Sequence, residues 1–305
     1  MELCSCRAIR LITLPFGVNK GGMFMLCGIA SPVALLESCA AQGNYHLALS
    51  HLILESPEYC EFYRQQSELG VLVSVDNGLV EQGKSLPVEE VVRATGMVWC
   101  NEFVLPDVLG DGHESYQATI KGLDEYQHLM LVSSDHQFIG VPHGSNVADW
   151  MECYLKLLQV REIRTIGISM FDTELFHGGR VGLLDYLDDM HLIDPNRAYH
   201  VLGCWRDLRE AYGLSTRCQC HEYSQGWYVQ PRTYVRSMDT GLPVRWGIQG
   251  TYSPPLVSPV PPPTAGHRHA DFLTPVKMNP VIQWNIDLYK AFCVGEIGPT
   301  SIADE

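Results

Sequence analysis

The chain has 305 residues, 46% hydrophobic and 18% charged, with a formal net charge of −14. A chain of that length and apolar content buries a sizeable core, which excludes disorder as its main state. The longest apolar stretch, Met23 to Leu36, is interrupted by Gly28, Ser31 and Pro32 and falls short of the roughly 18–20 residues a membrane span needs.

Residues 1–22 form an N-terminal segment without a basic region leading into an apolar one, so a secretory leader is not expected. From residue 23, short apolar and β-branched runs alternate with longer amphipathic stretches. The expected strands are Met23–Ile29, Tyr45–Leu49, Val71–Val75, Met97–Leu105, Gln137–Val141, Thr165–Met170, Tyr199–Gly203 and Tyr234–Met238. The expected helices between them are Pro32–Ala41, Pro57–Leu69, Val88–Ala94, Glu114–His128, Asn146–Val160, Arg180–Asp189 and Arg206–Gly213, the last closed by its glycine. Eight strands alternating with helices predict βαβ units and an α/β fold, a TIM-like (β/α)8 barrel over residues 23–250. A doubly wound open sheet is the structural competitor, but no G-x-G-x-x-G follows the first strand. Residues 251–305 add a Pro-rich loop, with six prolines in Ser253–Thr264, and a closing helix at Asn279–Phe292. Both are expected to belong to the barrel domain.

Charge and cysteine set the next bounds. Residues 1–150 hold 7 Lys/Arg against 18 Asp/Glu, a net of −11, whereas residues 197–250 hold 7 Arg against 4 acids, a net of +3. The total argues against a nucleic-acid partner, yet a locally basic region survives in the third quarter. The 11 cysteines are odd in number and show no disulfide framework, which points to a reducing cytoplasm. Cys4-x-Cys6 and Cys218-x-Cys220-His221 lack the two well-spaced pairs of a structural zinc site, and free thiols are the expectation.

The active site of a parallel barrel lies at the C-terminal ends of its strands. There the sequence places Asp76-Asn77-Gly78 after strand three, Asp107 after strand four, His143-Gly144 after strand five, Gly167-Ile168 in strand six, Leu202-Gly203 at strand seven and Asp239 at strand eight. A single aspartate after an apolar strand is ordinarily a turn residue or a helix cap. Three on one rim, with a histidine and close-approach glycines, suggest carboxyls whose pKa values are pushed apart, one a nucleophile and another an acid and base. That is the equipment of retaining glycosyl transfer.

These residues, taken in order, give the chain its resemblance to a family. Val75-Asp76-Asn77-Gly78 followed by Glu81, Phe103–Asp107, Gly140–Gly144, Ile166–Ser169, His200–Gly203 with Asp207-Leu208, and Ser237–Thr240 resemble the collinear motifs of the tRNA-guanine transglycosylase superfamily. The likeness spans about residues 23 to 247. It is strongest to the DNA-acting branch, the 7-deazaguanine DNA transglycosylases (DpdA type) of bacteria and their viruses. The resemblance implies replacement of guanine in DNA by a 7-deazaguanine such as the 7-cyano form, through a covalent aspartyl-nucleotide intermediate. It implies Asp239 as nucleophile and Asp76 as general acid/base. It implies that Asp107 reads the base, with Asn77, Gly78, His143, Gly144, Gly167, Ile168, Leu202 and Gly203 around it.

The departures are specific. The tRNA enzymes carry a zinc motif after the nucleophile, whereas only Cys293 follows Asp239 here. No metal ligand and no cofactor are therefore assigned, with zinc near Cys218 and Cys220 left open. His143 stands where the family has a glutamine. Arg206, Arg236, Arg245 and Arg268 are the expected phosphate contacts, with Arg209, Arg232 and Lys277 behind them, and Trp205 and Trp246 are candidates to stack on flanking bases. His267-Arg268-His269 beside Asp271 is a candidate grip on backbone or sugar. The expected partners are DNA and a 7-deazaguanine base, in the cytoplasm or, for a virus, the host cytoplasm, with no membrane and with a homodimer left open. A tRNA substrate, a barrel N-glycosidase or nucleoside hydrolase, and a binding-only barrel are the alternatives.

Overall fold

The computed structural model of the protein describes residues 25–100, 102–129, 136–204, 209–218, 235–251, 272–273 and 275–294, apart from the side chains at 173, 209 and 216–218. Eight strands, β1 (Leu26–Ile29), β2 (Tyr45–Leu49), β3 (Leu72–Asp76), β4 (Glu102–Val104), β5 (Gln137–Gly140), β6 (Ile163–Ser169), β7 (Ala198–Leu202) and β8 (Val235–Thr240), follow in that order. Each pairs in parallel with the next, and β8 closes on β1, so the sheet is a complete barrel. The fold is a (β/α)8 barrel, and the expected open-sheet competitor falls away because closure leaves no sheet edge. Among the described residues no helix is long and apolar enough to cross a membrane.

The helices are α1 (Ser50–Glu55), α2 (Pro57–Glu68), α3 (Leu79–Gln82), α4 (Val88–Met97), α5 (Gly112–Leu129), α6 (Val147–Leu158), α7 (Gly179–Asp189), α8 (Arg209–Cys218), α9 (Leu242–Ile248) and α10 (Pro280–Cys293). Local chemistry fixes several starts. The Ser56, Asn146 and Asn279 side chains accept from the backbone N–H three residues on, and Pro57 and Pro280 open α2 and α10.

Four segments differ from the sequence reading. Pro32–Ala41 forms two single 3-10 turns, Val33–Leu35 and Ala40–Gln42, with no side-chain cap on either. Met97 ends α4 instead of starting a strand; a short apolar run such as Met97–Leu105 fits either element until tertiary pairing decides. Helix α8 runs through Gly213 to Cys218, so Gly213 is no cap. A Cβ there would lie 3.1 Å from a Val181 methyl, and the glycine instead lets α8 approach α7. The short α1, α3 and α9 and a 3-10 turn at Met170–Leu175 have too few residues to show a period.

Outward strand residues such as Val75, Phe103, Ile166, Ile168, Val201 and Met238 pack under the helices in one continuous core. The barrel interior is layered. Its lower layer is polar: Arg236 of β8 donates to both oxygens of Glu102 of β4 at 2.8 Å, and Ser74 and Thr165 also donate to that carboxylate. Above it, Val104, Ile139 and Val141 meet Leu47 and Leu202 in an apolar layer. Gly167 sits at that level because a Cβ would fall within 3 Å of Val141 and Leu202. The third layer is the rim. Outside the barrel, α10 packs on α9, and Tyr289 donates to the Met238 carbonyl on the outside of β8.

Candidate active site

The strand ends surround a cavity of about 430 Å³, within the range of small-molecule sites. Asp76, Asn77, Asp107, His143, Leu202, Gly203, Asp239 and Arg245 all line it. Leu49, Val104, Val141, Met170, Phe171 and Val244 supply apolar wall.

Asp76 is the last residue of β3, and one of its oxygens accepts from the Gly78 N–H at 2.7 Å. Gly78 has a φ of 77°, the left-handed region that favours glycine, and this sharp turn starts α3 directly over the strand end. Asn77 points the other way. It donates to the Leu105 carbonyl at 2.8 Å and to Asp107 at 2.7 Å, and it accepts from the Leu79 N–H. Asp107 also meets Ser85 Oγ at 3.3 Å and His143 Nε2 at 2.9 Å. The second nitrogen of His143 lies 3.1 Å from Asp172, an ion-pair distance with the N–H poorly aimed.

These contacts separate the charges. Burial opposes a charge on His143, but Asp172 and Asp107 outweigh it and raise the imidazole to about 10, so it is a buried cation at neutral pH. Asp172 is itself pushed up by burial, only partly offset by His143. Burial, then the neighbouring Glu81, pushes Asp76 well above the usual carboxylate range. Burial raises Glu81 to about 7.

Asp239 stands across the rim on β8. The Gly203 N–H donates to it at 2.9 Å, and His200 Nε2 of β7 lies 3.2 Å away, off-line for a hydrogen bond. The other His200 nitrogen meets Ser237 at 2.9 Å. Gly28 leaves the space: a Cβ there would come within 3.2 Å of Asp239 Cβ and 3.1 Å of the Tyr45 ring. The fully buried Arg180 of α7 forms a two-point pair with Glu210 of α8 and donates to the Leu202 carbonyl at 2.6 Å. That brace fixes the chain just before Gly203.

Other expected contacts lie elsewhere. Gly78 shapes the turn without lining the cavity. Gly144 packs on α6, where a Cβ would lie 2.3 Å from the Trp150 nitrogen. Gly167 and Ile168 sit below the cavity in the β6–β7 ladder, and the Ile168 side chain faces the outer core. His143 lines the cavity with both ring nitrogens turned to carboxylates. Arg236 is corrected outright. Its guanidinium is bound to Glu102 in the lower barrel layer, because an inward side chain early in β8 points into the floor and away from the rim. Trp246 is also corrected: it is fully buried in the core and offers no stacking face. Lys277 is exposed. The side chain of Arg209 is not described, and Trp205, Arg206, Arg232, His267, Arg268, His269 and Asp271 lie outside the described residues. So does Cys220, as does the side chain of Cys218; among the described residues no group of three or more His, Cys, Asp or Glu has the arrangement of a metal site.

Glu81, Asp172 and His200 join the site without having been assigned roles from sequence. Asp172 was reachable by following the chain three residues past Ser169, as the strand-end rule invites. His200 lies inside a strand and faces inward, which only the pairing with Ser237 reveals. Comparison with protein-family models and with curated proteins finds no match to the chain.

Proposed function

We propose that the protein exchanges a nucleobase by retaining glycosyl transfer, replacing guanine in DNA with a 7-deazaguanine. The observation that carries the reading is the contrast between two carboxyls on one cavity: Asp76 is buried beside Glu81, which favours its protonated form, while Asp239 faces a backbone N–H and an imidazole. Paired carboxyls in unequal environments divide the work of a double displacement.

In this mechanism an Asp239 oxygen attacks C1′ of the nucleotide. The C1′–N bond breaks, its electron pair leaves with guanine, and Asp76 gives its proton to the departing base. The ring nitrogen of the incoming 7-deazaguanine then attacks C1′ and expels Asp239, while Asp76 takes back the proton that this nitrogen loses. The Gly203 N–H, held by the Arg180 brace, keeps Asp239 at the angle of attack. A base inside a duplex must leave the stack to reach a cavity of this depth. Arg245 of α9 is the one Arg or Lys among the described residues that line the cavity, and this reading assigns it a phosphate contact.

The test is nucleoside mass spectrometry after incubation with duplex DNA or tRNA and 7-cyano-7-deazaguanine. Incorporation into DNA is expected, and Asp239→Ala should abolish it. Incorporation into tRNA alone would move the substrate to RNA. Free guanine without incorporation would make the protein an N-glycosidase. Near-normal exchange by Asp239→Ala would refute the site.

A further inference from the structure

The cavity holds more carboxyls than the double displacement uses. Asp107, the expected reader of the base, has spent most of its accepting capacity on Asn77, Ser85 and His143. Asp172, 3.1 Å from His143, does not itself line the cavity. Glu81 differs from both. It sits on the single turn of α3 between Gly78 and Gly83, both left-handed, so the turn is fixed at each end. Its carboxyl lines the cavity, and Oε2 is buried with no hydrogen-bond partner. Native proteins seldom leave a buried acceptor unpaired, because the lost hydration is not repaid. An orphaned acceptor facing a cavity is therefore matched to a donor that arrives with the ligand.

We infer that Glu81 is a specificity-determining contact whose Oε2 accepts a hydrogen bond from the exocyclic amine on the edge of the bound base. The inference rests on the base-exchange reading and deepens it: the favoured substrates are bicyclic bases with a ring N–H next to an exocyclic amine, as in guanine and its 7-deaza analogues. Bases without the amine leave Oε2 unpaired and are rejected. Sites built to pair a donor discriminate strongly against analogues that lack it. Glu81 thus takes much of the role that the resemblance assigns to Asp107, whose part becomes the anchoring of Asn77 and His143.

The experiment is titration calorimetry of the full chain with guanine and with hypoxanthine, which lacks the amine. Wild type should prefer guanine by tenfold or more. Glu81→Gln, nearly isosteric, should lose most of that preference, and Glu81→Ala should lose it too, while thermal melting confirms that each variant is folded. A folded Glu81→Gln or Glu81→Ala that keeps the wild-type preference overturns the role of Glu81 and leaves base exchange standing. A wild type that binds neither base overturns the base-exchange reading, and the inference falls with it.

Discussion

Arg236 gives the sharpest quantitative test of the barrel interior. Arg236→Met keeps the length and apolar stem of the side chain and removes the guanidinium. Glu102 is then left 4% exposed with only Ser74 and Thr165 donating to it. Breaking a buried ion pair from one side costs about 3–5 kcal/mol. Arg236 retains 22% exposure, so solvent already screens part of the pair, and the lower end, about 3 kcal/mol, is expected. For a protein of this size that is a melting-point loss of about 5 °C. The pH dependence carries a sign. In wild type, burial pushes Glu102 up, but Arg236 and the two hydroxyls more than offset it, so its pKa lies below the ordinary value. Its contribution is present above the ordinary carboxylate pKa and is lost as pH falls through the folded value. Without Arg236, burial dominates and the orphaned carboxyl gains affinity for a proton. The deficit of the variant should therefore shrink as pH falls from 7.5 to 5. Urea denaturation at both pH values reads this directly. A variant within about 1 kcal/mol of wild type at pH 7.5, or a deficit that grows on acidification, would refute the account.

Two further outcomes follow from the rim. His143→Gln removes a buried cation facing two carboxyls and should cost about 3–5 kcal/mol. The raised imidazole stabilises wild type fully below its ordinary pKa of 6.5 and loses that contribution as pH rises through about 10. Urea midpoints from pH 6 to 10 should thus fall more steeply for wild type than for His143→Gln, and parallel curves would remove the charge from His143. Arg245→Ala should weaken duplex binding similarly for every sequence and lower the salt slope by about one. Fluorescence anisotropy between 50 and 200 mM salt measures this, and an unchanged slope places the phosphate path elsewhere.

What the sequence disclosed, and what it hid, follows from the range of the interactions involved. All eight strand positions were legible, because β-branched runs between amphipathic helices are local patterns, and closure then follows from their number. Asp76, Asp107 and Asp239 were legible as rim residues because a strand end is also a local feature. Their chemical states were not. That the Asp76 carboxyl is pushed up depends on burial by the whole cavity and on Glu81 five residues away. That His143 is a cation depends on Asp172 from the next strand's loop. Arg236 was misread for the same reason. Its sequence neighbours suggest an accessible basic segment, whereas its partner Glu102 is 134 residues away on the opposite wall of the barrel.

Charge is unevenly spread around the barrel that a polyanion would approach. In the first half, Glu58, Glu61, Glu89, Glu114, Asp124 and Glu125 are exposed on the outer faces of α2, α4 and α5. That flank lies around β3 to β5. Arg245 lies on α9, after β8, where the barrel closes on β1. Under the proposed function a phosphate backbone is repelled from the first flank and tolerated over the second. On that proposal the duplex would approach across α9, and Asp239, on the strand immediately before α9, would be the first carboxyl an extruded nucleotide met. The sugar would then enter beside the proposed nucleophile with the base directed toward Asp76 and Glu81, the order that attack at C1′ and protonation of the leaving base require.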